Sequence, residues 1–239
     1  MKILFNADDF GLTKGVTDGI IKAHLEGIVN STTLMMNGKA VNYAVDQAKQ
    51  IPTLKVGIHL VLTWGKPLTA QVPDLIKPDG TFKFNHSFQN MDVPNLVEVE
   101  KEWESQIHSF LKTGLSLHHI DSHHHVHGWE PLKEIVVKLA KKYSVPVRYV
   151  DSLREYPEIL LTEALWLNFY HDGVDDQIFE KLKNLKASSV EVMTHPAIID
   201  DELMKISSYV EKRAEELNIL CLLKVPDWVE SFNKVPSES

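Results

Sequence analysis

Cysteine is nearly absent: the 239-residue chain has one, Cys221, inside the apolar run ILCLLK. One thiol excludes an intramolecular disulfide, and its setting reads as a small buried hydrophobe. Long hydrophobic runs are missing too. No stretch approaches the about 20 apolar residues of a membrane span. The apolar part of the opening MKILFNADDF is too short for a secretory signal before acidic residues begin. A cytoplasmic protein without membrane contact is therefore expected. Positive charge is in deficit, with 25 Lys+Arg against 33 Asp+Glu and a formal net charge of −8. That balance argues against nucleic-acid binding, which needs a basic face, and leaves a small neutral substrate open. Hydrophobic residues make up 44% and charged residues 24%, an ordinary globular balance that can fill a core. Repeats, low-complexity segments and dividing linkers are also missing, so one domain over 1–239 is expected.

What is present is an alternation of strand-like and helix-like segments. KILFNA, STTLMMN, LKVGIHLVLT, LSLHHIDS, VPVRYV, SSVEVMTHP and ILCLLK read as strands. GVTDGIIKAHLEG, YAVDQAKQIP, NLVEVEKEWESQIHSFLKTG, EPLKEIVVKLAKKYS and DDELMKISSYVEKRAEELN read as helices, and residues 152–187 as mostly helical. Residues 65–95 are rich in proline and glycine with little periodicity, and read as a lid-like insertion. Alternation of this kind favours a mostly parallel sheet with helical crossovers. Closed, it gives a TIM-like (β/α) barrel, irregular or incomplete. The competing open doubly wound sheet calls for a Gly-rich first turn, where this chain has the acidic NADDFGLTKG.

The densest chemistry is HHIDSHHHVHG, residues 118–128, which holds six of the chain's twelve histidines. Asp8 and Asp9 follow the first strand, His59 lies near the end of the third, Asp121 and His123 end the next, and His195 ends VEVMTH. In a parallel barrel these strand ends share one face, where such folds place their sites. Imidazole with carboxylate suits Zn²⁺, Mn²⁺, Fe²⁺ or Co²⁺, and two histidines with one carboxylate leave coordination positions open. The neighbouring acids can then divide their roles, one binding metal and one acting as a base. Successive residues of a regular strand face opposite ways, so the pair requires a bend, which DDFG can supply.

Blander roles compete for several of these residues. Asp8 could cap the following helix, and His59 could be a satisfied core histidine. His24 and His108 fall in helical patterns, His86 in the insertion, and His171 in FYHDG reads as a polar helix-end residue. Within the cluster, strand parity groups Asp121, His123 and His125, while helical spacing groups His123 with His127. His123, common to both, is the first choice of ligand; His125 and His127 are left as supporting or substrate-facing residues. Trp64 and Trp129 adjoin the motifs and could stack on a sugar ring or simply pack.

NADDFGLTKG, VGIHLVLTWGKPLT, HIDSHHHVHG and EVMTHPAIID, together with STTLMMNGKA, resemble the YdjC-like carbohydrate deacetylase family, which includes chito-oligosaccharide (diacetylchitobiose) deacetylase. The resemblance runs in order to about residue 201. It implies a TIM-like, somewhat irregular barrel, a homodimer, and a divalent metal, Mg²⁺ by the family's usage, held by Asp9, His59 and His123. It implies Asp8 as general base and removal of acetyl from an N-acetylglucosamine-type sugar. His195 is then expected to protonate the leaving amine. The alternatives are a metal-dependent phosphoesterase or sugar isomerase on the same barrel, or a non-catalytic metal- or sugar-binding module. Few basic residues near the motifs disfavour the first, and the Asp pair disfavours the last.

Overall fold

The computed structural model describes residues 1–230. Its centre is one six-stranded sheet, entirely parallel, in the order β4-β3-β2-β1-β6-β5. The strands are β1 (Lys2–Phe10), β2 (Ser31–Leu34), β3 (Lys55–Leu60), β4 (Ile120–Ser122), β5 (Ala164–Trp166) and β6 (Ser189–Thr194). Helices α1 (Lys14–Leu25), α2 (Val41–Gln50), α3 (Leu96–Leu111), α4 (Lys133–Tyr143), α5 (Ile178–Lys183), α6 (Asp201–Ile206) and α7 (Glu211–Leu222) make the connections. The sheet curls into an incomplete α/β barrel, as the alternation leads one to expect. Single bridges from Ile120 to Val147 and from Val147 to Leu160 carry the wall past β4.

The core lies between sheet and helices. β1 is buried from Ile3 to Phe10, which explains its near-continuous apolar sequence: a strand covered on both faces has no solvent side to mark with polar residues. α1 starts at Thr13, whose hydroxyl accepts from the Val16 amide, so Thr13 and not Asp8 caps this helix. α3 starts at Asn95, which accepts from the amides of Val97 and Glu98, and it buries Val99, Trp103, Ile107 and Phe110.

Four local expectations are corrected. VPVRYV forms no regular strand and joins the wall by single bridges at Val147, made with the backbone of Pro146, Val147 and Arg148. Residues 152–187 are mostly turns, with the unforeseen strand β5 and the short helix α5. The single helix expected over 200–218 divides into α6 and α7. ILCLLK is not a strand, because α7 continues to Leu222 with Leu217 and Leu220 buried at helical spacing. The 65–95 segment contains two short 3₁₀ turns and is tied to α3: buried Glu102 accepts from the amides of Leu68 and Thr69, and Glu98 from that of Asp74. No described helix is long and apolar enough to cross a membrane.

Candidate metal and catalytic centre

β1 ends in a break of register. Ala7 pairs with Thr32 and Phe10 with Leu34, so three steps on β1 oppose two on β2. Asp9 takes up the difference with φ +68°, and Gly11 follows at φ +82°. A non-glycine residue in the left-handed region is strained, by about 1–3 kcal/mol, and such strain is typical of functional positions. Its effect here is to bring Asp8 and Asp9, neighbours in sequence, to one cavity. The bend required by the sequence is this bulge.

The donor atoms of Asp9, His59 and His123 lie within 4.8 Å of one another. His59 Nε2 is 3.4 Å and His123 Nδ1 3.1 Å from Asp9 Oδ1, while Arg213 Nη2 donates to Asp9 Oδ2 at 2.6 Å. Arg213 thus occupies one carboxylate oxygen and leaves the other to the two imidazoles. His59 is set by its second nitrogen, Nδ1, which is 2.8 Å from Asp121 Oδ1; the other Asp121 oxygen accepts from Thr33 Oγ1 at 2.9 Å. A carboxylate behind a histidine fixes the ring's tautomer and aim, a frequent support of metal ligands.

Asp8 faces the same cavity from a different footing. The guanidinium of Arg148 binds it in a fork, Nη1 to Oδ2 at 2.7 Å and Nη2 to Oδ1 at 2.5 Å. Arg148 also reaches Glu191 at 2.9 and 2.7 Å and Asp121 at 2.9 Å, with no exposure at all. Burial would raise the Asp8 carboxyl, but Arg148 outweighs it and holds the group far below the usual carboxylate range. Burial would likewise lower the His59 imidazole, yet Asp121, Asp9 and Asp8 lift it to about 10. The physical content is charge balance. Three aspartates, with Glu191 beside them, face two guanidiniums, and the deficit of positive charge draws a proton onto His59. A dication held by Asp9, His59 and His123 satisfies the same deficit, so the donor set fits a divalent metal in geometry and in charge.

His195 stands at the end of β6 on the cavity wall. Burial and Arg213 lower its imidazole to about 4, which leaves it neutral at pH 7. Its backbone N–H donates to Glu216, whose Oε1 also accepts from Tyr209 at 2.6 Å. Burial pushes the Glu216 carboxyl up to about 8. Tyr209 lies just ahead of α7, and Arg213 and Glu216 lie within it, so this stretch serves both Asp9 and His195.

The cavity has a volume of about 570 Å³ and is walled by Asp8, Asp9, His59, His123 and His195 with Trp64, His125 and Tyr170 among others. This lies within the usual range for small-ligand sites, about 300–1,000 Å³. Two expected substrate contacts lie elsewhere. His127 is fully buried, with Nδ1 2.6 Å from Ser122 Oγ, and Trp129 packs against Phe84 and Phe88 of the insertion. His124, which belongs to neither the strand-parity nor the helical-spacing group, does reach the wall, and the insertion contributes His86. The reason is local: His124 and His125 both adopt left-handed φ values, 54° and 56°, which break strand and helix parity alike. Arg148, Arg213 and Glu216 were not singled out from sequence. A charged residue inside an apolar run, as in VPVRYV, is the signal that was available, since a buried charge requires partners.

Comparison with known proteins agrees in extent with this geometry. The sequence pattern of the family described as YdjC-like protein matches residues 2–231. A protein of Oceanobacillus iheyensis named carbohydrate deacetylase is 57% identical over 96% of this chain and 100% of its own length. One of Vibrio cholerae with the same name is 44% identical over 92% of this chain and 88% of its own. A solved structure from Enterococcus faecalis V583, named for cellobiose-phosphate cleavage, superposes with a TM-score of 0.86 at 36% identity, covering 92% of this chain and 90% of the other.

Proposed function

Because the chain belongs to the YdjC-like family, we propose that it is a metal-dependent carbohydrate deacetylase that hydrolyses the acetamide of N-acetylated sugars such as chito-oligosaccharides or diacetylchitobiose. The observation that carries this reading is the meeting of Asp9, His59 and His123 with Asp8 and His195 in one cavity. The names of the relatives point the same way.

A divalent metal on Asp9, His59 and His123 would supply Lewis-acid polarisation of the acetamide carbonyl and a water of lowered pKa. The family resemblance points to Mg²⁺, while two imidazoles among three ligands favour Zn²⁺ or another transition-metal dication. Asp8, ionised at rest, takes a proton from the attacking water and passes it on toward His195. Arg148 keeps that carboxylate fixed in place. As the C–N bond breaks, its electron pair goes to nitrogen and His195 delivers a proton there, releasing acetate and the free amino sugar. Asp121 and Arg213 hold His59 and Asp9 in register. Trp64, His125 and Tyr170 line the space left for the sugar.

Among the residues lining the cavity, Arg213 is the one Lys or Arg side chain, and it is already paired with Asp9, which disfavours the phosphoesterase reading. Acetate release from N-acetylated sugars, measured before and after chelation and after restoring metal, tests the proposal. Metal-reversible acetate release is expected. Turnover without acetate points to an isomerase, and sugar or metal binding without turnover points to a binding module. The same reading takes the protein as a cytoplasmic homodimer acting on a small carbohydrate, for which light scattering and cell fractionation are the checks.

A further inference from the structure

Glu216 carries a carboxyl group with no exposure, placed by α7 against the strand end that carries His195. One oxygen accepts the His195 backbone N–H and the other accepts the Tyr209 hydroxyl at 2.6 Å. The side chain of His195 faces the same group. Its Nδ1 is buried without a hydrogen-bond partner and lies 4.0 Å from Glu216 Oε1. With Nδ1 turned inward, Nε2 is the ring nitrogen left for the cavity.

We infer that Glu216 is the positioning residue of the proton donor: it fixes the His195 main chain with one oxygen and holds the inner ring nitrogen with the other while Nε2 serves the leaving amine. The inference rests on the reading of His195 as that donor. A movement of roughly 1 Å brings 4.0 Å to hydrogen-bond length. The step balances simply. The resting ring is neutral with its proton on Nδ1. Nε2 takes up the proton that Asp8 draws from the attacking water, then gives it to nitrogen as the C–N electron pair goes there. The Nδ1 proton stays on the ring, held by Glu216, so the imidazole ends neutral as it began. A carboxyl group suits this place: burial favours its neutral form at rest, but beside a protonated ring it is held ionised and then accepts from the Tyr209 hydroxyl, the His195 amide and the ring together. A glutamine has one acceptor oxygen and cannot replace all three contacts. The general pattern is a catalytic acid or base oriented by a third group behind it.

The test compares leaving groups. Full-length, metal-loaded wild type, Glu216→Gln, Glu216→Asp and His195→Ala are assayed on diacetylchitobiose, whose amine must be protonated to leave, and on 4-nitrophenyl acetate, whose phenolate need not be. Glu216→Gln is expected to lower kcat on the amide about 10- to 100-fold with KM within about twofold, and to change the aryl ester by less than about threefold. Glu216→Asp is expected to recover part of the amide rate. Equal losses on both substrates, or none on either, overturn the inference. Metal content and melting temperature are measured alongside; if Glu216→Gln does not fold, the same selectivity is read from Glu216→Asp. If His195→Ala shows no leaving-group dependence, the donor assignment itself fails. If it does and Glu216→Gln does not, only the positioning role fails. A measurement independent of turnover is the ¹⁵N spectrum of the histidine rings. Glu216→Gln is expected to move His195 Nδ1 more than Nε2, and an unmoved Nδ1 overturns the inference whatever the enzyme acts on.

Discussion

Below β4, His118 and His119 face each other with their Nδ1 atoms 2.9 Å apart; above it, His123 turns its Nδ1 to Asp9 at 3.1 Å. The same short stretch therefore holds two kinds of histidine. His119 is fully buried beside Gly57, where a Cβ would stand 2.6 Å from its ring nitrogen and its carbonyl oxygen. Burial lowers both lower histidines, His118 to about 4, so they are neutral packing groups. His123 meets carboxylate and imidazole from β1 and β3. The difference teaches that density of histidine is not the functional signal. The end of the strand at which the imidazole emerges is.

The sharpest way to break this comparison is to exchange the ends. His123→Ala is expected to abolish stoichiometric metal binding and lower acetate release at least about 10³-fold, whereas His119→Ala keeps its metal. Metal analysis of the two purified variants decides, and metal retained by His123→Ala removes that residue from the ligand set. Next in size is Asp8→Asn, expected to retain metal and to lose about 10²- to 10⁴-fold in kcat. Full turnover with metal in place contradicts its role as base.

At the lower end the expected effects are on stability. Gly57→Ala forces a methyl against the His119 backbone and is expected to destabilise by about 1–3 kcal/mol, read by denaturant unfolding, with metal content unchanged. The smallest effect is on pH dependence. His118 has a folded-state pKa of about 4 against an ordinary 6.5, so the unfolded chain binds the proton first as the pH falls. Its stabilising contribution is complete above about 6.5 and is lost on acidification toward 4. His118→Gln removes this dependence, and the acid-unfolding midpoint of the metal-free protein is expected to move to lower pH by a few tenths. A midpoint that rises or stays put shows that His118 is no part of the acid response.

Much of the first half of the fold was legible because its strands are short apolar runs closed by polar or turn residues, as in KILFNA, and its helices carry amphipathic spacing with caps, as in α3. The second half was less so. ILCLLK looks like a strand in isolation, but helical periodicity from Arg213 through Glu216, Leu217 and Leu220 carries α7 through it. VPVRYV has strand composition but makes single bridges, to Ile120 in the three-residue β4 and to Leu160 in the irregular segment ahead of β5. The residues of the cavity were legible where a side chain stands at or near a strand end, as with Asp9, His59, His123 and His195. It was not legible where support arrives from distant helices or loops, as with Arg148, Arg213 and Glu216.

By itself the sequence determined the alternating α/β order, the chemistry available at each strand end, and the need for a bend at Asp8–Asp9, since these follow from local periodicity and residue type. Only the tertiary structure decided which histidines face the cavity, that Arg213 occupies one oxygen of Asp9, and that Arg148 balances Asp8 against Asp121 and Glu191. Those are matters of direction and charge in a buried space, where left-handed turns at His124 and His125 override parity and residues up to 204 positions apart share one carboxylate.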